Sequence, residues 1–336
     1  MKVTIKDIAK KAEVSISTVS LVLNNKPCRV AENTRKKIKQ IAEKYNYKAN
    51  QTARSLVTKK SNILGLIIPD IENLFFSALC KQIEEYCRSL GYAIIIVNSN
   101  DRKEDDHLLI DLLVSRGVDG IFITVSNESL LDSKSIQKTL SDFTIPYVMV
   151  DRVYPEIHCN KVYFDNELGA YLAIKKFVEY GHSKIACVGI SEISKNGSYR
   201  VVGYRKAMEY FKLPVPESYI LDGNYRFQGG YDCGLKLLDS DITAIFVCND
   251  MMTLGLMRCF QEHNKRVPED ISIISYDNTL NPFMQGTEIT SIDQNIEKLA
   301  LTACDILIEN IKQPNIEKKT ICLEPHLIEK DSVKKL

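Results

Sequence analysis

Residues 4–25 read TIKDIAKKAEVSISTVSLVLNN, and the spacing of their apolar residues decides the N-terminal architecture. Thr4 with Asp7 three residues on is a capping-box-like start, in which the hydroxyl accepts an early backbone N–H. Ile5, Ile8, Ala9 and Ala12 fall at i, i+3, i+4 and i+7, one face of a short helix. Glu13-Val14-Ser15 interrupts that helix. Ser15 is placed to cap a second helix over 16–24, with Val19, Val22 and Leu23 as its apolar stripe. A third helix is expected over about 32–45, with Ile38, Ile41, Ala42 and Tyr45 on one face. Three short helices, the first two joined by a tight turn, make a helix-turn-helix.

This stretch lies in a strongly basic segment. Residues 1–60 carry 15 Lys/Arg against 4 Asp/Glu, a net +11, whereas the other 276 residues carry 29 against 39, a net −10. The formal charge of +1 for the whole chain hides that split. A basic, helically patterned head on an acidic body points to a polyanion-binding module joined to a second function. A solubilising tail would lack the apolar stripes. A plain three-helix bundle would need neither the charge nor the short polar residues Ser17, Thr18 and Ser20, which suit contacts to phosphates and base edges. These features favour DNA binding.

At 336 residues and 45% hydrophobic composition, the chain is long enough for two or three globular domains. No apolar run reaches the roughly 18 residues of a membrane span. The N-terminus has neither the apolar core nor the cleavage site of a secretory signal, so a cytoplasmic protein is expected. Ten cysteines form no C-x-x-C pair, and several lie inside apolar runs such as KIACVGI and AIFVCND. In a reducing compartment they read as small buried hydrophobes, neither disulfides nor zinc ligands.

From about Asn62 short apolar runs alternate with helical stretches. Strands are expected at 63–68, 93–97, 120–125, 147–150, 185–190, 244–248 and 271–275. Their nearly continuous hydrophobicity suits parallel strands covered on both faces, hence a doubly wound α/β body whose length suggests two lobes. The body contains no G-x-G-x-x-G, no Walker A and no G-x-S-x-G motif, and its histidines show no metal-ligand spacing. No catalytic residue, metal or cofactor is assigned. Polar residues do recur where strands end: Pro69-Asp70, Asn98, Asp151-Arg152, Asn249-Asp250 and Asp277-Asn278. Singly, such residues end strands or cap helices. As a set at the carboxyl ends of an open sheet they suggest a polar ligand cleft.

The head segments TIKDIAKKAEVSISTVSLVLNN, VAENTRKKI and YNYKANQTARSL match, in order and spacing, the DNA-binding head of the lactose-repressor (LacI/GalR) family, which the chain resembles over its first 60 residues. The resemblance implies that Ile16, Ser17 and Leu21 read bases in the major groove. It implies that Thr18, Ser20 and Asn24 contact or flank the backbone, with Thr4, Ser15 and Arg35 completing the DNA-facing set. Leu21 departs from the Arg of many members and cannot make a bidentate contact to guanine, so the operator preference should differ there. Ala31 replaces a capping Ser. Asn50–Thr58 resembles the family's hinge helix, which implies DNA-facing Asn50, close approach at Ala53, phosphate neutralisation by Arg54 and a minor-groove wedge at Leu56.

The body resembles the same family's effector domain through IPDIENLFF, VDRVYP, VYFDNELGA, EYGHSKIA, YRVVGYRKAM, TAIFVCNDMMTLG, VPEDISIISYDNT and HLIEKDS. That domain is similar to periplasmic sugar-binding proteins. The implied organisation is a head over 1–49, a hinge and linker over 50–61 and a two-lobed domain over 62–336. Lobe 1 covers about 62–161 and 292–322, and lobe 2 about 162–291 and 323–336. The implied effector set is Asn73, Phe75, Phe76, Asp151, Arg152, Arg200, Asn249, Asp277 and Gln294, with Tyr225 or Phe227 as a second aromatic wall. Core packing is an equally good reading of Phe75 and Phe76. Carboxylates, amides and guanidiniums bond vicinal hydroxyls while rings cover the C–H face of a sugar, and the set looks most like the ribose-binding branch. Members that bind purines use the same cleft. Asp165 reads as a helix cap.

The resemblance implies a homodimer on a palindromic operator, with two half-sites about one turn apart. No leucine heptads follow the body, so no tetramer is expected. A phosphocarrier-protein corepressor is a further possible partner. Cleft closure would alter the hinge spacing, so a ligand would shift operator affinity through its different affinities for the two states. The leading expectation is a sugar-responsive repressor of a sugar-utilisation operon, and the runner-up senses a purine or a phosphocarrier protein. From another class, a sugar-binding protein or sugar-acting enzyme without a DNA role is disfavoured by the head and by the lack of catalytic motifs.

Overall fold

The computed structural model describes residues 3–23, 25, 27–47, 60–131, 138–140, 143–154, 156–190 and 195–336. Residues 1–61 and 62–336 form two separate compact units.

The first unit contains α1 (Ile5–Ala12), α2 (Ile16–Leu23) and α3 (Glu32–Lys44). The capping box is complete: Asp7 N donates to Thr4 Oγ1 at 3.4 Å and Thr4 N donates to Asp7 Oδ2 at 2.9 Å, which satisfies two end N–H groups. Glu13 stops α1 in the left-handed conformation, φ 60°. Ser15 Oγ accepts from Thr18 N at 3.1 Å and opens α2. Ala31 gives α3 no side-chain cap. Ile8, Ala9, Ala12, Val19, Val22, Ile38 and Ala42 close into one small core. Tyr45 leaves the expected stripe. It is 38% exposed with Lys11 Nζ 4.8 Å from its ring centroid, since a tyrosine can place its face under a cation and keep its hydroxyl in water.

The second unit holds two six-stranded sheets. The first runs β11-β5-β4-β3-β1-β2, from β1 (Ile63–Ile68), β2 (Ala93–Asn98), β3 (Gly120–Ile123), β4 (Tyr147–Val150), β5 (Asn160–Phe164) and β11 (Thr320–Leu323). The second runs β12-β10-β9-β8-β6-β7, from β6 (Ile185–Gly189), β7 (Ile220–Asp222), β8 (Ala244–Val247), β9 (Ser272–Asp277), β10 (Thr290–Asp293) and β12 (His326–Ile328). Every neighbouring pair is parallel except β10 with β12. Helices α4 (Leu74–Ser89) and α11 (Ile296–Lys312) cover one face of the first sheet, and α5 (Lys103–Ser115) the other. A short α6 (Asn127–Leu131) follows β3. In the second lobe α7 (Asn166–Glu179), α8 (Lys195–Tyr210), α9 (Phe227–Leu237) and α10 (Asp250–Glu262) surround a core that includes Phe177, Tyr204, Phe246 and Tyr276.

All seven expected strands are present, with ends shifted by a few residues. Five short ones escaped the hydrophobic pattern: β5, β7, β10, β11 and β12. Each has polar or charged residues in a three- to five-residue run, as in NKVYF and TSID. β5 and β10 also bury polar groups, Asn160 and Ser291 among them. The expected lobe crossings near 161, 291 and 322 each fall inside or at the edge of one of these strands. The chain therefore leaves its sheet one to three residues later, after Phe164, Asp293 and Leu323. Asp165 N donates to Leu323 O at 2.9 Å, tying two crossings together. Asp165 also caps α7, its Oδ1 accepting from Leu168 N at 2.9 Å.

Eight of the ten cysteines are buried, Cys28 is half-buried and Cys322 exposed; all are free. Burial pushes the thiols of Cys80 and Cys233 up to about 11, so they behave as small hydrophobes. Among the described residues no helix is long and apolar enough to cross a membrane, and no His/Cys/Asp/Glu cluster could hold a metal.

Candidate functional site

Two surfaces carry the expected site residues. On the head, Ile16 is 44% exposed, Ser15 and Ser17 are exposed, and Thr18, Ser20 and Leu21 are half-buried. The hydroxyls of Ser15 and Ser17 lie 2.7 Å apart and those of Ser15 and Thr18 2.8 Å, so the start of α2 presents a row of linked donors and acceptors. Exposed Thr4 is occupied by the cap of α1. Arg35 is half-buried, its Nη2 donating to Cys28 Sγ at 3.4 Å and its Nε 3.8 Å from Glu32. Asn24, Asn50, Ala53, Arg54 and Leu56 lie outside the described residues.

In the body, the carboxyl ends of strands from both lobes meet at a cleft lined by Asn73, Phe75, Phe76, Asp151, Arg152, Arg200, Tyr225, Asn249 and Asp277. Asn73 caps α4, its Oδ1 accepting from Phe75 N at 3.0 Å. That cap aims the first turn, with Phe75 and Phe76 edge to face at 5.2 Å, towards the cleft. The two readings of these rings combine, because both are 97% buried and also line the cleft. Asn249 caps α10 in the same way, bonding Met252 N at 2.9 Å and donating to Tyr225 O at 3.1 Å. Asp151 (φ 63°), Tyr225 (φ 59°) and Asp277 (φ 97°) all have left-handed backbones. Non-glycine residues held in that region cluster at functional sites.

Two buried guanidiniums dominate the cleft. Arg200 Nε donates to Asn166 Oδ1 at 2.8 Å, and Nη1 donates to Cys248 O and lies 3.4 Å from Asp277 Oδ1. Its guanidinium stacks on Tyr276 at 3.7 Å. Arg152 Nη1 donates to Asp101 Oδ1 at 2.6 Å and to Val125 O at 3.2 Å, with the guanidinium 5.3 Å from the Phe76 ring. Burial alone would lower the pKa of both arginines, but the facing carboxylates, Asp277 and Asp101, raise it and hold them charged. Burial pushes the Asp277 carboxyl well above the usual range; Arg200 opposes this, while Asp250 and Asp151 add like charge.

Two expected residues stand elsewhere. Phe227 is half-buried at the start of α9, where its carbonyl closely faces Gly255 of α10. Tyr225, two residues earlier, forms the wall instead. Gln294 is fully buried at the second crossing and is not among the lining residues; neither of its amide heteroatoms has a partner among the described residues. Asp250 is also drawn away, accepting from Ser275 Oγ at 2.5 Å and Thr279 N at 2.6 Å. The strand-end pattern missed Asp101 and Tyr276. Asp101 lies only three residues beyond Asn98, so that pattern could have found it. Tyr276 was hidden inside an apolar strand.

A three-helix head with a hydroxyl-lined helix, joined to a two-lobed domain with a polar cleft, defines an effector-responsive DNA-binding regulator. Residues 4–50 match bacterial regulatory proteins of the lacI family and residues 174–333 a periplasmic binding protein-like domain. The HTH-type transcriptional repressor PurR of Vibrio cholerae serotype O1 (strain M66-2) is 34% identical over 99% of this chain and 98% of its own length. Catabolite control protein A of Priestia megaterium is 34% identical over 98% of each. Among solved structures, the lac repressor dimer bound to operator and the anti-inducer ONPF covers 99% of this chain and 100% of its own, with TM-score 0.88 at 25% identity. A LacI family regulator from Enterococcus faecium with bound ribose covers 82% of this chain and 99% of its own, with TM-score 0.73 at 30% identity. The chain belongs to the lacI family and is a DNA-binding transcriptional repressor, not an enzyme.

Proposed function

We propose that the effector is a small neutral sugar of pentose type bound between the lobes, and that it switches the repressor's operator affinity at a sugar-utilisation operon. The observation that carries this reading is the chemistry of the cleft. Two carboxylates, two guanidiniums and two amides converge beside Phe75, Phe76 and Tyr225. The guanidiniums of Arg152 and Arg200 each face a carboxylate, Asp101 and Asp277, which suits an uncharged polyhydroxyl ligand better than an anionic one. The relative from Enterococcus faecium, solved with ribose, supports the same class. A homodimer presents two heads to a palindromic operator. Ile16, Ser17 and Leu21 read bases, with Thr4, Ser15, Thr18, Ser20, Asn24 and Arg35 around them. The segment 50–61 acts as the hinge, with Asn50, Ala53, Arg54 and Leu56 facing DNA. Gln294 joins the effector contacts on closure.

A purine is the second reading, favoured by the identity to PurR. A purine slot gains most from parallel rings on both faces of the base, whereas Phe75 and Phe76 meet at 79°. The test is thermal unfolding of the full chain with D-ribose, other pentoses, hexoses, hypoxanthine and guanine. A ligand at 100 times its Kd adds about 2.7 kcal/mol to apparent stability. Selective stabilisation by a pentose supports the proposal. Stabilisation by a purine alone replaces it with the second reading. Silence across the panel refutes both small-molecule readings and favours a protein corepressor.

A further inference from the structure

Arg152 reaches the cleft already committed to another residue. Its side chain is 6% exposed, and Nη1 meets Asp101 Oδ1 at 2.6 Å. Asp101 is outside the cleft lining, yet it is held with care. Asn100 and Asp101 are consecutive left-handed residues, φ 52° and 60°, and neither is glycine. Such a pair costs backbone energy and persists only where neighbours over-determine it. Here Asp101 N donates to Pro69 O at 2.8 Å, and its carboxylate also accepts from Asn127 N at 3.0 Å and Asn127 Nδ2 at 3.4 Å. The loop after β2 is thereby fixed to the loop after β1 that leads to Asn73, and to the start of α6.

We propose that Asp101 is a positioning and specificity residue of the cleft: it fixes the Arg152 guanidinium beside Phe76 and cancels its charge, so that the cleft selects unphosphorylated over phosphorylated sugars. The inference rests on the sugar reading given above. Among the described lining residues the cations are Arg152 and Arg200. Each already faces a carboxylate, Asp101 at 2.6 Å and Asp277 at 3.4 Å. Asp151 is a third carboxylate in the same space. A phosphate entering here meets, among the described lining residues, no positive charge that does not already face a carboxylate, at a site where poor screening makes like charges costly. A neutral pentose meets arginine donors and carboxylate acceptors already in place.

The experiment titrates D-ribose and D-ribose 5-phosphate into the full-length wild type, Asp101→Asn and Asp101→Glu by calorimetry, with thermal unfolding of each protein. Asp101→Asn keeps an oxygen for Asn127 N but removes the charge. Its ribose Kd is expected to rise about tenfold, a loss of about 1.4 kcal/mol of binding, because Arg152 is no longer held beside Phe76. Its preference for free over phosphorylated sugar should fall by a similar factor. Asp101→Glu keeps the charge and moves it; it should weaken ribose binding while retaining discrimination against the phosphate. A purely structural role for Asp101 would instead move both ligands together in both variants, and that result overturns the inference. A wild type that prefers ribose 5-phosphate also overturns it while leaving the sugar reading intact. A wild type that binds purine and neither sugar removes the sugar reading itself, and the inference with it.

Discussion

Replacing Arg200 by Met tests whether the cleft is held together by the same charges that are offered to a ligand. Arg200 and Asp277 have side chains only 6% and 5% exposed, and their closest atoms are 3.4 Å apart. At an effective dielectric of about 20, two unit charges at that distance attract by about 5 kcal/mol. Methionine fills a similar volume but leaves Asp277, Asn166 Oδ1 and Cys248 O without their donor. Breaking a buried pair by removing one partner costs about 3–5 kcal/mol, because the other charge is stranded. Arg200→Met should therefore lose about 3 kcal/mol of stability, or about 6–10 °C in Tm, and all measurable pentose affinity. The double variant Arg200→Met/Asp277→Asn removes the stranded charge and should recover about 1 kcal/mol or more relative to the sum of the single changes. The assay is urea unfolding of wild type, both single variants and the double variant at pH 7, with calorimetric titration of D-ribose. A loss under about 1 kcal/mol for Arg200→Met, or simple additivity in the double variant, would refute the reasoning.

Other consequences are open to measurement. A Cβ on Gly169 would lie 2.3 Å from the hydroxyl of Tyr276, the ring under Arg200. Gly169→Ala should destabilise the body by about 1–3 kcal/mol and weaken ligand binding, read by Tm and titration. His182 is 2% exposed, with Nδ1 2.9 Å from Thr243 Oγ1 and Nε2 3.0 Å from Lys334 O. Burial holds its pKa below the ordinary 6.5. A lowered folded-state value means that the stabilisation is complete above about 6.5 and is lost as pH falls below it. Acidification from pH 7 to 5 should therefore lower the Tm of wild type more than that of His182→Gln. Arg226 and Asp70 form an ion pair between the lobes, with side chains 44% and 15% exposed. Pairs this exposed contribute about 1 kcal/mol at most, so Arg226→Ala should speed ligand release in stopped flow by no more than about fivefold. If each head of a dimer neutralises about four phosphates, log K for operator against log salt should fall with a slope of about −7, measured by fluorescence anisotropy.

Local spacing determined the head. Its caps and stripes involve residues three or four apart, so TIKDIAKKAEVS fixed α1, the turn and the cap of α2 without reference to distant parts of the chain. The long, fully apolar strands of the body were legible for the same reason. So were Asp151, Arg152, Asn249 and Asp277, because an open parallel sheet puts its strand ends on the side where ligands bind, whereas Asn73 and Arg200 came only through the family resemblance. The tertiary structure alone decided which polar groups face each other. Asp101 and Arg152 are 51 residues apart in sequence, and Arg200 and Asp277 are 77 apart. No periodicity links them: Asp101 follows β2 and Arg152 follows β4, with β1 and β3 between those strands, and Arg200 reaches the end of β9 from α8. The choice of Tyr225 over Phe227 also needed three dimensions, because the packing of α9 on Gly255 fixes where that loop turns. The short strands β5 and β10 were hidden for a related reason: their polar residues are buried by partners far along the chain, such as Asn310 for Asn160 and Ser332 for Thr290.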